Sequence, residues 1–269
     1  MPADPRFTSR ANAVAASGVI RKHRNQIFTT PLTMPPQAMC SLTVAGGAAT
    51  SNAPGSMWSS GQGTIVDLGA NSAFVEVTAS GNTRTTVARA TLGRIVVDGR
   101  LEVDGMQGEM IASWQPGFQE AEITVGSCHF LMDRIVIDGV AIAVTIDAAV
   151  FQQNRSRQAL RNAYAGSPQL RQDNFERFNN PNANQTTIDV SRGQHICSIV
   201  NGLTPQKALP AGARIRKNHI LDWPGFGSIY LGELLISENG RHLTMMRLQL
   251  GSPTEGEMAF AASDPDGHD

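Results

Sequence analysis

The dominant period in the hydrophobic pattern is two. Short runs that alternate apolar and polar residues recur at 64–68 (TIVDL), 73–78 (AFVEVT), 86–99, 100–105, 121–125 (AEITV), 134–147, 227–237 and 241–251. Each is rich in Val, Ile, Thr or Leu and stops at Gly, Asp or Asn, the signature of strands between tight turns. Val75 and Val77 alternate with Phe74 and Glu76, which predicts one face turned inward and the other toward water.

The turns are as informative as the strands. Asp98-Gly99, Asp104-Gly105, Asp138-Gly139 and Asn239-Gly240 are dipeptides that accept positive φ at low cost. Hairpins are predicted at 98–99, 138–139 and 239–240. One hairpin also echoes another: RIVVDGRLEV at 94–103 recurs as RIVIDGVAIAV at 134–144, offset by 40 residues. Two copies are too few for a solenoid but suit similar hairpins on related sheet positions. The predicted fold is therefore all-β, mainly antiparallel and β-sandwich-like, as a single β-rich domain over residues 1–269.

Between about 148 and 185 the period changes. FQQNRSRQALRNAYAGSPQLRQDNFERFNNPNANQ has almost no β-branched residues and many Gln, Asn and Arg, which predicts a short helical, polar insertion. Ser167-Pro168 reads as an N-cap followed by proline at the first helical position, with Leu170, Phe175 and Phe178 as a thin apolar stripe. Strand texture returns at 186–190 and 195–200.

Composition bounds the function classes. Of 269 residues, 41% are hydrophobic and 17% charged, enough apolar material for a full core. No apolar run approaches the roughly 20 residues of a membrane helix, so no membrane span is expected. A net charge of -1 gives no reason to expect a nucleic-acid partner. The cations are 3 Lys and 19 Arg, a bias toward planar, multidentate contacts.

Charge is polarised along the chain. Residues 1–40 hold Arg6, Arg10, Arg21, Lys22 and Arg24 against Asp4, whereas 251–269 hold five acids and no Lys or Arg. Segment 252–269 reads as a mobile tail. Attraction of Arg21, Lys22 and Arg24 to Glu255 and Glu257 of a neighbouring subunit would favour head-to-tail assembly, making a homo-oligomer the expected partner.

Candidate chemistry is sparse. The chain has no H-E-x-x-H, G-x-S-x-G, Walker or dinucleotide-binding motif, and no cofactor is expected. His195 and Cys197 are two apart on a predicted strand, so they share a face and form a candidate metal pair. Trp58, Trp114 and Trp223 each sit beside glycine, and WQPGF at 114–118 echoes WPGF at 223–226; these rings are candidate ligand-stacking platforms. Cys40, Cys128 and Cys197 are too few and too scattered for a disulfide scaffold. No apolar h-region follows a basic start, so no secretory signal is visible.

The strands ending in DG, the phrase SCHFLMDRIVIDGVAI at 127–142 and the closing GFGSIYLGELLIS and RHLTMMRLQLG within 225–251 resemble bacterial exported β-rich proteins of the choice-of-anchor P type. The resemblance implies a non-enzymatic role at an extracellular or cell-surface location, and it brings no catalytic residues. The expected function is that of a structural, self-assembling β-rich protein. The alternative is a carbohydrate or small-ligand binding module that uses exposed tryptophans.

Overall fold

The computed structural model describes residues 9–44, 46–116, 121–166, 195–237 and 240–267. They form three sheets in which every strand pair is antiparallel. Sheet A runs β17 (Arg214–Arg216), β18 (Ile220–Trp223), β19 (Gly227–Ser237), β20 (Gly240–Leu250), β21 (Thr254–Gly267), β1 (Ser9–His23), β2 (Gln26–Val44), with β15 (His195–Ser198) beside β19. Sheet B runs β11 (Glu122–Val125), β10 (Met106–Trp114), β7 (Thr83–Leu92), β6 (Asn71–Ser80), β3 (Gly47–Ala53), with β12 (His129–Phe130) beside β10. Sheet C runs β16 (Val200–Pro205), β14 (Val140–Ile146), β13 (Arg134–Ile137), β9 (Leu101–Val103), β8 (Ile95–Val97), β5 (Gly63–Leu68), β4 (Ser56–Ser60).

Sheets A and B lie face to face, with β1 and β21 over β7 and β2 over β6, which makes a β-sandwich. Their shared interior is built largely from small side chains: Ala11, Ala13 and Ala15 of β1, and Ala73, Ala88, Ala90 and Ala112 of sheet B, are all buried. Small residues let two sheets approach closely without voids. Sheet C instead fills its inner face with larger groups, among them Ile65, Ile95, Ile135, Ile137 and Ile142. One hydrophobic cluster includes residues of all three sheets.

The two DG hairpins of the internal echo are present. Asp98 and Gly99 (φ 52° and 64°) turn β8 into β9, and Asp138 and Gly139 (φ 46° and 70°) turn β13 into β14. Two successive positive φ values are the requirement of a type I′ turn, and Asp-Gly meets it at little cost. Because β9 pairs with β13, the two hairpins stand side by side and aim their turns in one direction. At the third predicted hairpin β19 and β20 pair through Ser237 and Gly240, while Asn239 lies outside the described residues.

One sequence expectation needs correction. Segment 252–269, read as a mobile tail, instead supplies β21, hydrogen-bonded on both sides by β20 and β1 in the middle of sheet A. Thr254, Met258 and Phe260 are buried while Glu255 and Glu257 face outward, a period-two pattern that the charge count obscured. Residues 9–40, within the basic segment, hold β1 and most of β2.

The insertion begins with α1 (Ala149–Gln153) and α2 (Arg157–Gly166). Ser156 caps α2, its Oγ accepting the Ala159 N–H at 3.0 Å. Val150, Phe151 and Leu160 are buried, and buried Arg241 of β20 donates to the carbonyls of Ile123 and Asn154, tying α1 to the sandwich. Ser167-Pro168, the 170–178 stripe and the 186–190 strand lie outside the described residues. Among the described residues, no helix is long and apolar enough to cross a membrane.

Candidate functional site

The three tryptophans do not come together. Trp58 is on β4 of sheet C, Trp114 ends β10 of sheet B, and Trp223 ends β18 of sheet A. Trp58 is half-buried against the core. Trp223, proposed as an exposed platform, is 3% exposed, and its indole Nε1–H donates to Asp138 Oδ2 at 2.7 Å. A buried indole needs such an acceptor, and the echo hairpin provides it.

His195 and Cys197 both lie on β15, so their Cα positions share a face; the His195 side chain lies outside the described residues. Cys197 is wholly buried, with its thiol donating to the Leu234 carbonyl at 3.3 Å. Among the described residues no three His, Cys, Asp or Glu side chains converge as a metal site.

The oppositely charged ends meet within one chain. β1 and β21 are neighbours, Lys22 pairs with Glu255 in register, and Lys22 Nζ donates to Glu255 Oε1 at 3.0 Å. Arg24 turns away, donating to the Gln62 carbonyl at 3.0 Å and lying 3.5 Å from Asp98. Arg21 and Glu257 are exposed on sheet A.

A polar cluster that no sequence motif announced joins sheets A and C. His23, the last residue of β1, is wholly buried, with Nε2 3.2 Å from Asp98 Oδ1 and Nδ1 2.5 Å from Ser60 Oγ. A carboxylate only accepts, so Nε2 carries the proton, and in the singly protonated ring Nδ1 accepts from the Ser60 hydroxyl. Ser60 Oγ in turn accepts the Gln62 N–H at 3.0 Å, and Thr254 donates to Asp98 Oδ2 at 3.1 Å.

Serine, imidazole and carboxylate in sequence are the parts list of a nucleophilic triad. The surroundings argue for a lock. The adjacent cleft of about 320 Å³ is lined by Arg24, Arg94, Asp67 and Asp98, among others, and by neither Ser60 nor His23. Each polar atom of the chain from Gln62 to Thr254 is spent on its neighbour, which fixes the β4–β5 turn, the β8–β9 turn and two strands of sheet A in one place.

The outer edges are the surface least like the rest of the molecule. Residues 25–66 contain no Asp, Glu, Lys, Arg or His. That run folds into β2, β3 and β4, and these are the outermost strands of sheets A, B and C respectively. Three of the exposed large apolar side chains lie on it: Ile27 (74%), Met39 (55%) and Met57 (62%). Exposed edges ordinarily carry charge to discourage pairing with another chain, and this margin carries none. Alternation counting missed it because 26–60 mixes Pro, Gly, Ser and Thr with the apolar residues; the missing charges were the available signal.

Neither curated proteins nor solved structures returned a match to the chain. A family model described as a domain of unknown function, DUF8256, matches residues 7–189, which contain the neutral run and both echo hairpins. The match spans well over half of the polypeptide, and the chain therefore belongs to the DUF8256 family.

Proposed function

We propose that the protein is a non-enzymatic structural protein that associates with copies of itself through the neutral margin of β2, β3 and β4. The observation that carries this reading is the charge-free run 25–66 at the outer edge of all three sheets. A second copy is the occupant because a neutral edge repels nothing in its own image, whereas it offers no charge with which to select a different partner. Pro31, Pro35 and Pro36 deny β2 a continuous row of donors. β3, GAATSNA, has neither proline nor charge and is the strand best suited to pair antiparallel with its own copy, extending sheet B across a twofold axis. The likeness of 127–142 to non-catalytic choice-of-anchor P proteins accords with this reading.

Sedimentation velocity on the full chain over about 1–100 μM tests it, with dimers or larger species expected to grow with concentration. Thr50 is exposed at the midpoint of β3, so Thr50→Lys places like charges against one another at the axis. The variant is expected to be monomeric at low salt and to recover association in 1 M salt, where the screening length is about 3 Å. A wild-type chain that stays monomeric throughout overturns the proposal.

A further inference from the structure

Two of the large apolar side chains exposed among the described residues lie outside the neutral margin, and they are adjacent: Leu131 (53%) and Met132 (65%). They belong to the turn Leu131–Asp133, which carries the chain from β12 of sheet B to β13 of sheet C. Its base is held firmly. Phe130 is buried, His129 and Phe130 pair with Gln107 and Met106 of β10, and the Leu131 N–H donates to the Gly105 carbonyl at 2.8 Å. Met132 and Asp133 both take left-handed backbone angles, φ 63° and 48°, which residues other than glycine seldom adopt. Strain of this kind persists only where the surroundings hold it, and it gathers at sites of contact. The charges beside the apolar pair are poorly met on their own chain. Asp133 is exposed and has no ion-pair partner among the described residues, and Arg134 has Asp104 at 3.7 Å, with no acceptor for its Nε.

On the face of sheet A turned away from sheet B, β1, β2 and β21 border a cleft of about 420 Å³. Register identifies its side chains: Val19 stands between Thr33 of β2 and Glu257 of β21, while its in-strand neighbour Ile20 is buried in the core. Val19, Pro36 and Ala259 give the cleft an apolar lining, and Arg21 and Glu257 give it one charge of each sign. Both charges are exposed, and neither has an ion-pair partner among the described residues. Arg247, also in the lining, is already committed to both Glu233 oxygens at 2.6 and 2.9 Å.

We propose that the 131–133 turn of one copy seats in the sheet A cleft of a second copy. Leu131 and Met132 then cover Val19, Pro36 and Ala259, Asp133 meets Arg21, and Arg134 meets Glu257. A second copy is the occupant because the two surfaces complement each other twice, an apolar pair against an apolar lining and an acid–base pair against a base–acid pair. Turn and cleft are different surfaces, so the contact runs head to tail and continues from copy to copy. It rests on the reading that copies of this chain associate, but through residues other than the β3 edge. So small a contact is too weak to join single chains where edges pair; it links edge-paired dimers, each of which presents two turns and two clefts.

Sedimentation velocity on the full chain reads the contact as growth beyond the dimer. Arg21→Glu sets Asp133 against a like charge, Asp133→Lys sets a lysine against Arg21, and each variant is expected to stop at the dimer. An equimolar mixture of the two restores opposite charges and is expected to grow as wild type does. A wild type that stops at the dimer, single variants that grow unimpaired, or a mixture that stays at the dimer overturns the inference and leaves the edge reading intact. A second arm does without the edge: Met132→benzoylphenylalanine in the Thr50→Lys chain is irradiated at about 1 mM, a concentration that favours a weak contact. The expected adduct joins position 132 of an isotope-labelled chain to peptides holding Val19 or Ala259 of an unlabelled one. Absence of that adduct sinks the turn-in-cleft contact whether or not edges pair, and its presence beside a monomeric wild type sinks only the edge reading.

Discussion

Asp98 and Asp138 occupy equivalent positions 40 residues apart, each the first central residue of a type I′ turn, and each anchors sheet C to a buried group of sheet A. Asp98 receives His23 and Thr254; Asp138 receives the Trp223 indole and both ends of the Arg100 guanidinium at 2.9 and 2.7 Å. Arg100 also donates to the carbonyls of Pro224 and Gly225, so the second turn is clasped from two sides. The repeat is thus a repeated fastening, in which one short motif supplies both the tight turn and the carboxylate that holds it.

Substitution separates these two roles. Asp98→Asn keeps the side chain that tolerates positive φ and an oxygen for His23, so the expected loss is about 1 kcal/mol. Asp98→Ala strands two buried donors and puts a Cβ-only residue at φ 52°, with an expected loss of about 3 kcal/mol. Urea denaturation of the two variants should rank them in that order, and equal losses would contradict the fastening role.

Stability should fall with acid in two stages. Burial pushes the His219 imidazole below its ordinary value, so the neutral ring is favoured in the fold, and the resulting stabilisation is present above about pH 6.5 and is lost as pH falls. Asp222 is held far below the usual carboxylate range, chiefly by the Arg216 guanidinium and then by Arg214 and Ser228. Asp138 is lowered in the same direction, first by Arg100. A depressed carboxyl stabilises above its unfolded value of about 3.9 and loses that contribution as pH drops through its folded value. Urea midpoints measured from pH 7 to 3 should show both limbs, with His219→Gln flattening the upper one and Asp222→Asn the lower.

Gly256 leaves no room for a side chain between β21 and β1. A Cβ there would lie 2.3 Å from the Val19 carbonyl oxygen, a backbone atom with no freedom to retreat. Gly256→Ala is expected to cost about 2 kcal/mol, within the usual range for overpacking, and to lower the melting temperature. An unchanged melting temperature would mean that the two strands are not held at this separation.

Most of the strands were legible wherever β-branched residues alternate between glycine turns, as in 73–78, 134–147 and 227–251. β1 was not, because Ala11, Ala13 and Ala15 carry little hydrophobic signal although they build the sandwich interior. β21 was missed for the opposite reason: Glu255 and Glu257 dominated the reading and hid Met258 and Phe260. The sites were less legible than the fold. His23, Ser60, Asp98 and Thr254 are far apart in sequence and meet only where the ends of their strands converge. Trp223 reads in the sequence as an exposed stacking platform, whereas its indole is buried and serves a turn of the neighbouring sheet.

The placement of β21 between β20 and β1 fixes the order in which the molecule is able to finish. Until that segment is available, the opening hairpin of β1 and β2 and the β19–β20 pair have no common partner, and each presents bare backbone and a half-covered apolar face. During synthesis sheet A therefore waits for β21, and in the interval before that strand arrives the nascent chain is exposed to aggregation through its unpaired edges.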